Sequence, residues 1–520
     1  MCGIAAIIYP KQESTFEIAQ MLRQIKHRGD SDPAYTCFGD SILGIVRLKI
    51  VDIENGDQPF YNEDKTVGVV FNGEIYNYKS LQNDLISKSH ILKTDCDSEI
   101  LVHLYEEYGK SFLYKLEGMF SFIIYDKKEN DFWAVRDFFG VKPLFYAKSD
   151  STYYFASELK AFDNLEVLEY HEIPPGHYLT SKGLCKYYQL PQFVPTPDNL
   201  SDISKKVRTL LERAVEKRVQ TNLPVAVFMG GGIDSVIVNL LACKFHPNVT
   251  SLIVGLENSQ DVIFAKRLCY DFNLKHHYIP ITENELIAFI PDIVRSIETF
   301  EPNLIRGSVL SNILAQNANK LGFKVVLCGE GSDEIFGGYG DFLHVSNTND
   351  FQSLLYRYLT DLYRTQLLRI DRTGMRYGVE IREPFLDREL VEYALNIPPS
   401  MKISRLLDGR FTTKFILREA FKELLPDYIY SRDKQTMMDG AGIGEVDKNK
   451  GLLYRNAETK ISDSELVHFQ IDYPEYHLNT KEEVLNFSYF KEYYLKASFC
   501  KKRVNNAQFE ITKSTQCQLT

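Results

Sequence analysis

The stretch 225–245 constrains the fold of this 520-residue chain more than any other. Val225-Ala226-Val227-Phe228-Met229 is an apolar run of strand length, Gly230-Gly231-Gly232-Ile233-Asp234-Ser235 is a glycine-rich turn, and 236–245 has helical spacing. A strand that passes through glycines into a helix leaves free N–H groups and the helix dipole pointing the same way, which makes an anion site. The Gly-Lys-Ser/Thr ending of a P-loop is absent. Asp234 offers a hard oxygen ligand suited to magnesium between phosphates. A plain turn in a parallel sheet would use the same glycines, and the Asp-Ser ending tips the reading toward phosphate.

Two further strands follow the same plan. Residues 251–256 precede a helix over 261–272, and 324–328 run into Gly329-Glu330-Gly331-Ser332-Asp333-Glu334. Strands alternating with helices indicate βαβ units and a parallel sheet, which binds ligands at the carboxyl ends of its strands. The acids Glu330, Asp333 and Glu334 would make a solvated loop or a magnesium and catalytic site, and their place at a strand end favours the second.

Residues up to about 161 read differently. Short apolar strands and turns alternate without a helix after each strand, and the one clear amphipathic helix lies over 14–26. That pattern predicts layered antiparallel sheets. A single core rarely exceeds about 300 residues, so the chain divides. The proline-rich polar stretch 191–198 is the natural linker, and a helix over 201–218 follows.

The first half carries its own chemistry. Removal of Met1 would leave Cys2 with a thiol and a free α-amine on one residue. The thiolate is the attacking species, and an amine titrating near 7.7–8.0 can take its proton. Three stretches could serve it. Arg47 could pair with a carboxylate or simply snorkel. Asn72-Gly73 could present an oxyanion hole from an amide and a backbone N–H, or be a hairpin turn. In Thr94-Asp95-Cys96-Asp97-Ser98-Glu99 a carboxylate could hold an ammonium, or these acids could cap the helix that starts near Glu99.

Composition narrows the rest. The net charge of −10 and the lack of a basic run beyond Lys501-Lys502-Arg503 argue against nucleic acid. Nine scattered cysteines without CxxC pairs argue against a disulfide framework or zinc cluster. Neither a signal peptide nor an apolar run of membrane-spanning length is present, so the expectation is a soluble cytoplasmic protein with small-molecule substrates.

Taken together, Cys2-Gly3-Ile4, His27-Arg28-Gly29, Arg47-Leu48, Asn72-Gly73-Glu74, Asp97, Leu116 to Phe122, Ala134 to Leu144 and Phe155 to Lys160 resemble the glutamine amidotransferase domain of the amino-terminal-nucleophile class. The motifs from the glycine loop onward, with Glu380-Ile381-Arg382-Glu383-Pro384-Phe385-Leu386-Asp387, Lys414, Leu417-Arg418 and Arg432-Asp433-Lys434, resemble the ATP-pyrophosphatase domain of glutamine-dependent asparagine synthetase. The resemblance implies an αββα glutaminase domain over 1–190, a linker over 191–200, a parallel-sheet synthetase domain over 201–495 and a frayed polar tail over 496–520. It implies glutamine hydrolysis at Cys2 with Asn72 and Gly73 as oxyanion donors, and Arg47, Asn72, Gly73, Glu74 and Asp97 holding glutamine. Ammonia would pass through an internal channel to an acyl-adenylate made from ATP and a carboxylic acid, aspartate by default. Asp234 and Asp333 would hold magnesium, and Gly231, Gly232 and Ser235 would cradle phosphate. Met229, Val254, Cys328 and Gly329 would surround adenosine, with Arg306 and Lys434 balancing phosphate charge. Glu330 would act at the adenylate and Asp387 would support the site. The resemblance leaves room for a homodimer.

The chain departs from the family at Asp30, where proline is usual, and at Gly230 and Val236, where loop hydroxyls are usual. It also departs at Cys328, a serine in the family, and at Asn303-Leu304, where threonines precede Ile305-Arg306. These leave open the same chemistry on another carboxylic acid, or a glutaminase with a silent second domain. A β-lactam-forming relative would lack Cys2.

Overall fold

The computed structural model describes residues 2–165, 169–345, 347–405, 411–444 and 451–494. The polar tail expected over 496–520 lies outside them. Twelve strands build two antiparallel sheets. They are β1 (Cys2–Ile8), β2 (Ala34–Cys37), β3 (Ser41–Arg47), β4 (Phe60–Tyr61), β5 (Val67–Ile75), β6 (Gly118–Asp126), β7 (Asp131–Arg136), β8 (Phe145–Ser149), β9 (Thr152–Ala156), β10 (Tyr170–Glu172), β11 (His177–Thr180) and β12 (Gly183–Lys186). One sheet runs β10-β8-β9-β1-β3-β2 and the other β12-β11-β7-β6-β5-β4.

Alternation along β1 explains the layering. Ile4, Ala6 and Ile8 pack with Val70 and Ile123 of the opposite sheet, whereas Ala5 and Ile7 pack with Ile18, Met21 and Leu22 of α1 (Ser14–Gln24). On the far side, Val69 and Phe71 of β5 share a core with Ile100, Leu101 and Leu104 of α3 (Ile100–Tyr108), which follows α2 (Tyr78–Ser87). Helix, sheet, sheet and helix form the expected αββα sandwich.

The stretch 191–198 lies against the second half, where Asn396 accepts from Val194 N through its side chain and from Thr196 N through its carbonyl. Beyond α4 (Leu200–Arg218) come β13 (Val225–Phe228), α5 (Ile233–Phe245), β14 (Val249–Gly255), α6 (Gln260–Asp271), β15 (His276–Pro280), β16 (Val325–Leu327) and β17 (Glu380–Arg382). The five strands form an all-parallel sheet in the order β15-β14-β13-β16-β17. The chain moves outward to β15 and then crosses back to β16. The order therefore reverses at β13, and a crevice opens at the carboxyl ends there. The helix after the glycine loop starts at Ile233, three residues earlier than its periodicity indicated, because Gly232 caps it and Asp234 lies in its first turn.

The halves meet through buried charge. Arg28 donates to Glu158 at 2.6 Å and to Asp371 at 2.8 and 3.1 Å, and all three side chains are buried. Arg372 pairs with Glu158 at 3.3 Å and Glu298 at 3.1 Å. Burial favours neutral carboxyls, but Arg28, Lys142 and Arg372 hold Asp371 below the usual carboxylate range. At the rim, Asp30 meets Lys324 and also accepts from Lys49 N at 3.1 Å. The departure from proline at Asp30 thus provides a tie across the halves. Among the described residues no helix is long and apolar enough to cross a membrane.

Candidate active sites

The antiparallel half places Cys2 opposite Arg47 at the end of β1, and Asn72 opposite Ser121 in β5. The Cys2 N–H donates to Asn72 Oδ1 at 2.9 Å, and Asn72 Nδ2 lies 3.4 Å from Ser121 Oγ. Gly73 has φ +150°, and a Cβ there would lie 2.0 Å from the Met119 carbonyl, so only glycine lets β5 and β6 approach this closely. Cys2 is 5% exposed, and burial pushes its thiol up. The nearby amino terminus, the Leu48 N–H and the Arg47 guanidinium oppose that rise without reversing it.

Arg47 is fixed by the loop that follows it. Its guanidinium donates to the carbonyls of Val51, Asp52 and Ile53 and to Asp57 Oδ1, the last at 2.8 Å. Two buried acids lie near Cys2. Asp97 Oδ2 accepts from Ile75 N at 2.9 Å, and burial raises the Asp97 carboxyl to about 6 despite that bond. Glu74 is raised by burial and by the facing Glu380, although Arg382 of β17 lies 3.1 Å from it. Cys2, Arg47, Asn72, Gly73, Glu74 and Asp97 thus lie around one end of the sandwich, with Arg382 from the parallel half at its back.

The second site is a cavity of about 800 Å3 over the carboxyl ends of β13, β14 and β16. Met229, Gly232, Asp234, Ser235, Val254, Arg306, Cys328, Gly329, Glu330, Asp333 and Lys434 line it. Gly231 is not among the lining residues, and a Cβ there would meet Phe264 and Arg432, the latter a wall of the cavity. Asp387 is not among the lining residues, and lies with Lys217 at 3.4 Å and Arg218 at 3.3 Å beside α4.

Charge in this cavity is paired internally. Lys414 Nζ sits 2.6 Å from Asp234 and 2.7 Å from Asp333, and Lys434 Nζ lies 2.6 Å from the other Asp333 oxygen. Burial opposes ionisation of Asp333, yet those two ammonium groups hold it well below the carboxylate range. Ser332 Oγ donates to Asp234 at 2.6 Å. Glu330 is held by Arg369 at 2.5 Å, and Arg306 forks onto Glu482 of the helix Lys481–Tyr494. Glu334 turns to Tyr339, and burial with the adjacent Asp333 raises its carboxyl. Asn303 lines the cavity, its side chain hydrogen-bonded to Glu301 at 3.1 Å.

Sequence reading gave no role to Lys414, Arg369, Ser332 or Arg432. Lys414 stood within a quoted motif, and its φ of +55° beside two acids marks a constrained position. Arg369 lies inside an amphipathic helix, and no local pattern marks it. The glycine-rich stretch 440–444 packs as cavity wall: Ala441 is buried and its carbonyl accepts from Leu256 N at 3.0 Å.

Residues 1–219 match the family described as glutamine amidotransferase domain, and residues 206–350 and 343–498 match the asparagine synthase family. The glutamine-hydrolyzing asparagine synthetase 3 of Arabidopsis thaliana is 34% identical over 518 residues, covering 96% of this chain and 88% of that protein. The glutamine-hydrolyzing asparagine synthetase 2 of Oryza sativa subsp. japonica is 34% identical over 516 residues, covering 95% and 86%. Among solved structures, a glutamine phosphoribosylpyrophosphate amidotransferase from B. subtilis, complexed with ADP and GMP, covers 53% of this chain and 65% of that one. Its identity is 17% and its TM-score 0.32, a likeness too slight to carry an argument.

Proposed function

The chain belongs to the glutamine-hydrolysing asparagine synthetase family, and from that premise we propose how its two sites make asparagine from aspartate, glutamine and ATP. With Met1 removed, the α-amine of Cys2 donates one N–H to Asn72 Oδ1, as Cys2 N does here at 2.9 Å, and keeps its lone pair for the thiol proton. The buried thiol needs such a base, since burial pushes its own titration up. Cys2 Sγ attacks the side-chain amide carbon of glutamine, and the oxyanion is met by Gly73 N–H and by Asn72 Nδ2 once it turns from Ser121. The proton held by the amine passes to the departing nitrogen, ammonia leaves, and water hydrolyses the γ-glutamyl thioester to glutamate. Arg47 takes the α-carboxylate, and Glu74 and Asp97 take the α-ammonium.

In the cavity, an aspartate side-chain oxygen attacks the α-phosphorus of ATP and pyrophosphate leaves. Ammonia then displaces AMP from the acyl-adenylate. Asp234 and Asp333 fit a cation: two hard carboxylates already bracket the Lys414 ammonium at 2.6 and 2.7 Å. They would hold magnesium, which on binding neutralises phosphate charge. Gly232 and Ser235, at the head of α5, meet phosphate through N–H and hydroxyl, and Lys434 meets the departing pyrophosphate. Met229, Val254, Cys328 and Gly329 wall the base and ribose. Glu330, steadied by Arg369, takes the proton lost as ammonia attacks. The nucleophile must remain a free thiol, which a reducing compartment such as the cytoplasm preserves.

The observation that carries this reading is the pairing of Asp234 and Asp333 through Lys414 at the head of the glycine-loop helix. It argues against a silent second domain, because these charges persist although loop hydroxyls are gone. The test is pyrophosphate release from magnesium-ATP and glutamine against a panel of carboxylic acids, with product masses read in the same reactions. Release that needs aspartate, with asparagine formed, is expected. Release with another acid only would move the acceptor, and no release while glutaminase activity persists would overturn the synthetase role.

A further inference from the structure

A group of metal-type donors lies on the outer face of the sandwich, away from both candidate sites. Glu63 stands in the turn between β4 and β5, His90 in the loop after α2, and His103 and Glu106 one turn apart on α3. One donor atom from each lies within 4.8 Å of all the others.

The second observation is His103 itself. It is 1% exposed, and neither ring nitrogen has a hydrogen-bond partner. Its Nδ1 lies 3.3 Å from Glu63 Oε2 without the alignment of a hydrogen bond, and His90 Nδ1 lies 3.5 Å from Glu63 Oε1. A buried imidazole left unpaired is costly. Donors bound to one tetrahedral ion at 2.0–2.1 Å stand about 3.3–3.4 Å apart; the His103 Nδ1–Glu63 Oε2 spacing already has that length, and the other donors, all within 4.8 Å, need only small side-chain adjustments to reach it. The carboxylates are pre-oriented: Ile91 N donates to Glu63 at 2.9 Å and Asn62 Nδ2 to Glu106 at 2.7 Å. Lys88 is engaged with Glu107 at 2.7 Å, so the charge of Glu63 and Glu106 is left for another cation.

We propose that Glu63, His90, His103 and Glu106 form a site for one divalent transition-metal ion of the zinc class, fastening the β4–β5 turn and the loop after α2 to α3. Two imidazoles with two carboxylates suit zinc, whereas magnesium and calcium take all-oxygen shells. Glu63 and Glu106 are exposed, which gives the ion a path from solvent. The role is structural, and none of the four residues belongs to the machinery above.

The test uses the full chain stripped with chelator and titrated with Zn2+ by calorimetry. Retained metal is counted after desalting, and Co2+ is substituted to read the geometry. One ion per chain, a tetrahedral cobalt spectrum and a higher melting temperature on loading are expected. His90→Asn and Glu106→Gln, neither at a fully buried position, should each weaken zinc about 100-fold or more while leaving pyrophosphate release unchanged. No retained zinc would overturn the proposal. So would binding equal in the wild type and both variants, since that places the ion at Cys2 or in the ATP cavity.

Discussion

Asp97 and Gly73 show how much of the proposed glutamine site depends on single groups. An ammonium binds Asp97 only as the carboxylate, and burial raises that carboxyl to about 6. The KM for glutamine should therefore rise as pH falls through about 6, with kcat changed less. Asp97→Asn should raise KM at every pH and flatten that dependence, and a slope that survives in Asp97→Asn would remove Asp97 from the pocket. Gly73→Ala would drive a methyl onto the Met119 carbonyl and displace an oxyanion donor. A loss of about 100-fold or more in glutaminase kcat is expected, with synthesis from free ammonia retained. Locally, Asn-Gly at the end of an apolar run reads equally as a hairpin turn; the structure instead keeps Asn72 and Gly73 inside β5, paired with β6. The tie of Glu74 to Arg382 was not legible in the sequence, since the two are far apart in the chain and meet only when the halves dock.

At the scale of elements, the helix Gln366–Met375 touches both sites. Arg369 holds Glu330 in the ATP cavity, while Asp371 grips Arg28, whose Nε donates to the Cys2 carbonyl at 3.1 Å. Asp371→Asn leaves Arg28 with one buried carboxylate fewer and should cost about 3–5 kcal/mol of stability, read by denaturant melts. The sign with pH follows. Asp371 titrates below its unfolded value, so its contribution is complete above about pH 4 and fades as pH falls through the folded value. The wild type should lose stability in that acid range, and Asp371→Asn should lose less. Lys414→Met, at the junction of Asp234 and Asp333, should abolish pyrophosphate release while glutamine hydrolysis at Cys2 continues. Strands and helices here were legible from periodicity: β13 ends at Phe228, one residue early, and α5 begins at Ile233, three residues early. Arg369 and Asp371 were hidden because a buried ion pair leaves no mark on an amphipathic pattern until its partners are known.

For the whole molecule, the decisive feature is that an antiparallel two-sheet sandwich and a parallel-sheet half are fastened together by buried charge as well as by apolar packing. The αββα sandwich follows from β1, whose alternate residues serve two different cores, and the parallel sheet from strands that each lead into a helix. What local sequence could not show is the joint, where Arg28, Glu158, Glu298, Asp371 and Arg372 interlock. The rim contact of Asp30 with Lys324 is a minor part of it. Both side chains are about one-third exposed, so Asp30→Asn should cost no more than about 1 kcal/mol. The central claim is that nitrogen released at Cys2 is used in the ATP cavity of the same molecule. The most direct measurement supplies glutamine labelled with 15N in its amide, together with unlabelled ammonium, aspartate and magnesium-ATP, and reads the label in the product. Asparagine carrying 15N in its side chain, little diluted by the ammonium outside, is expected. Labelled ammonia accumulating in solution, with no 15N in asparagine, would contradict the claim.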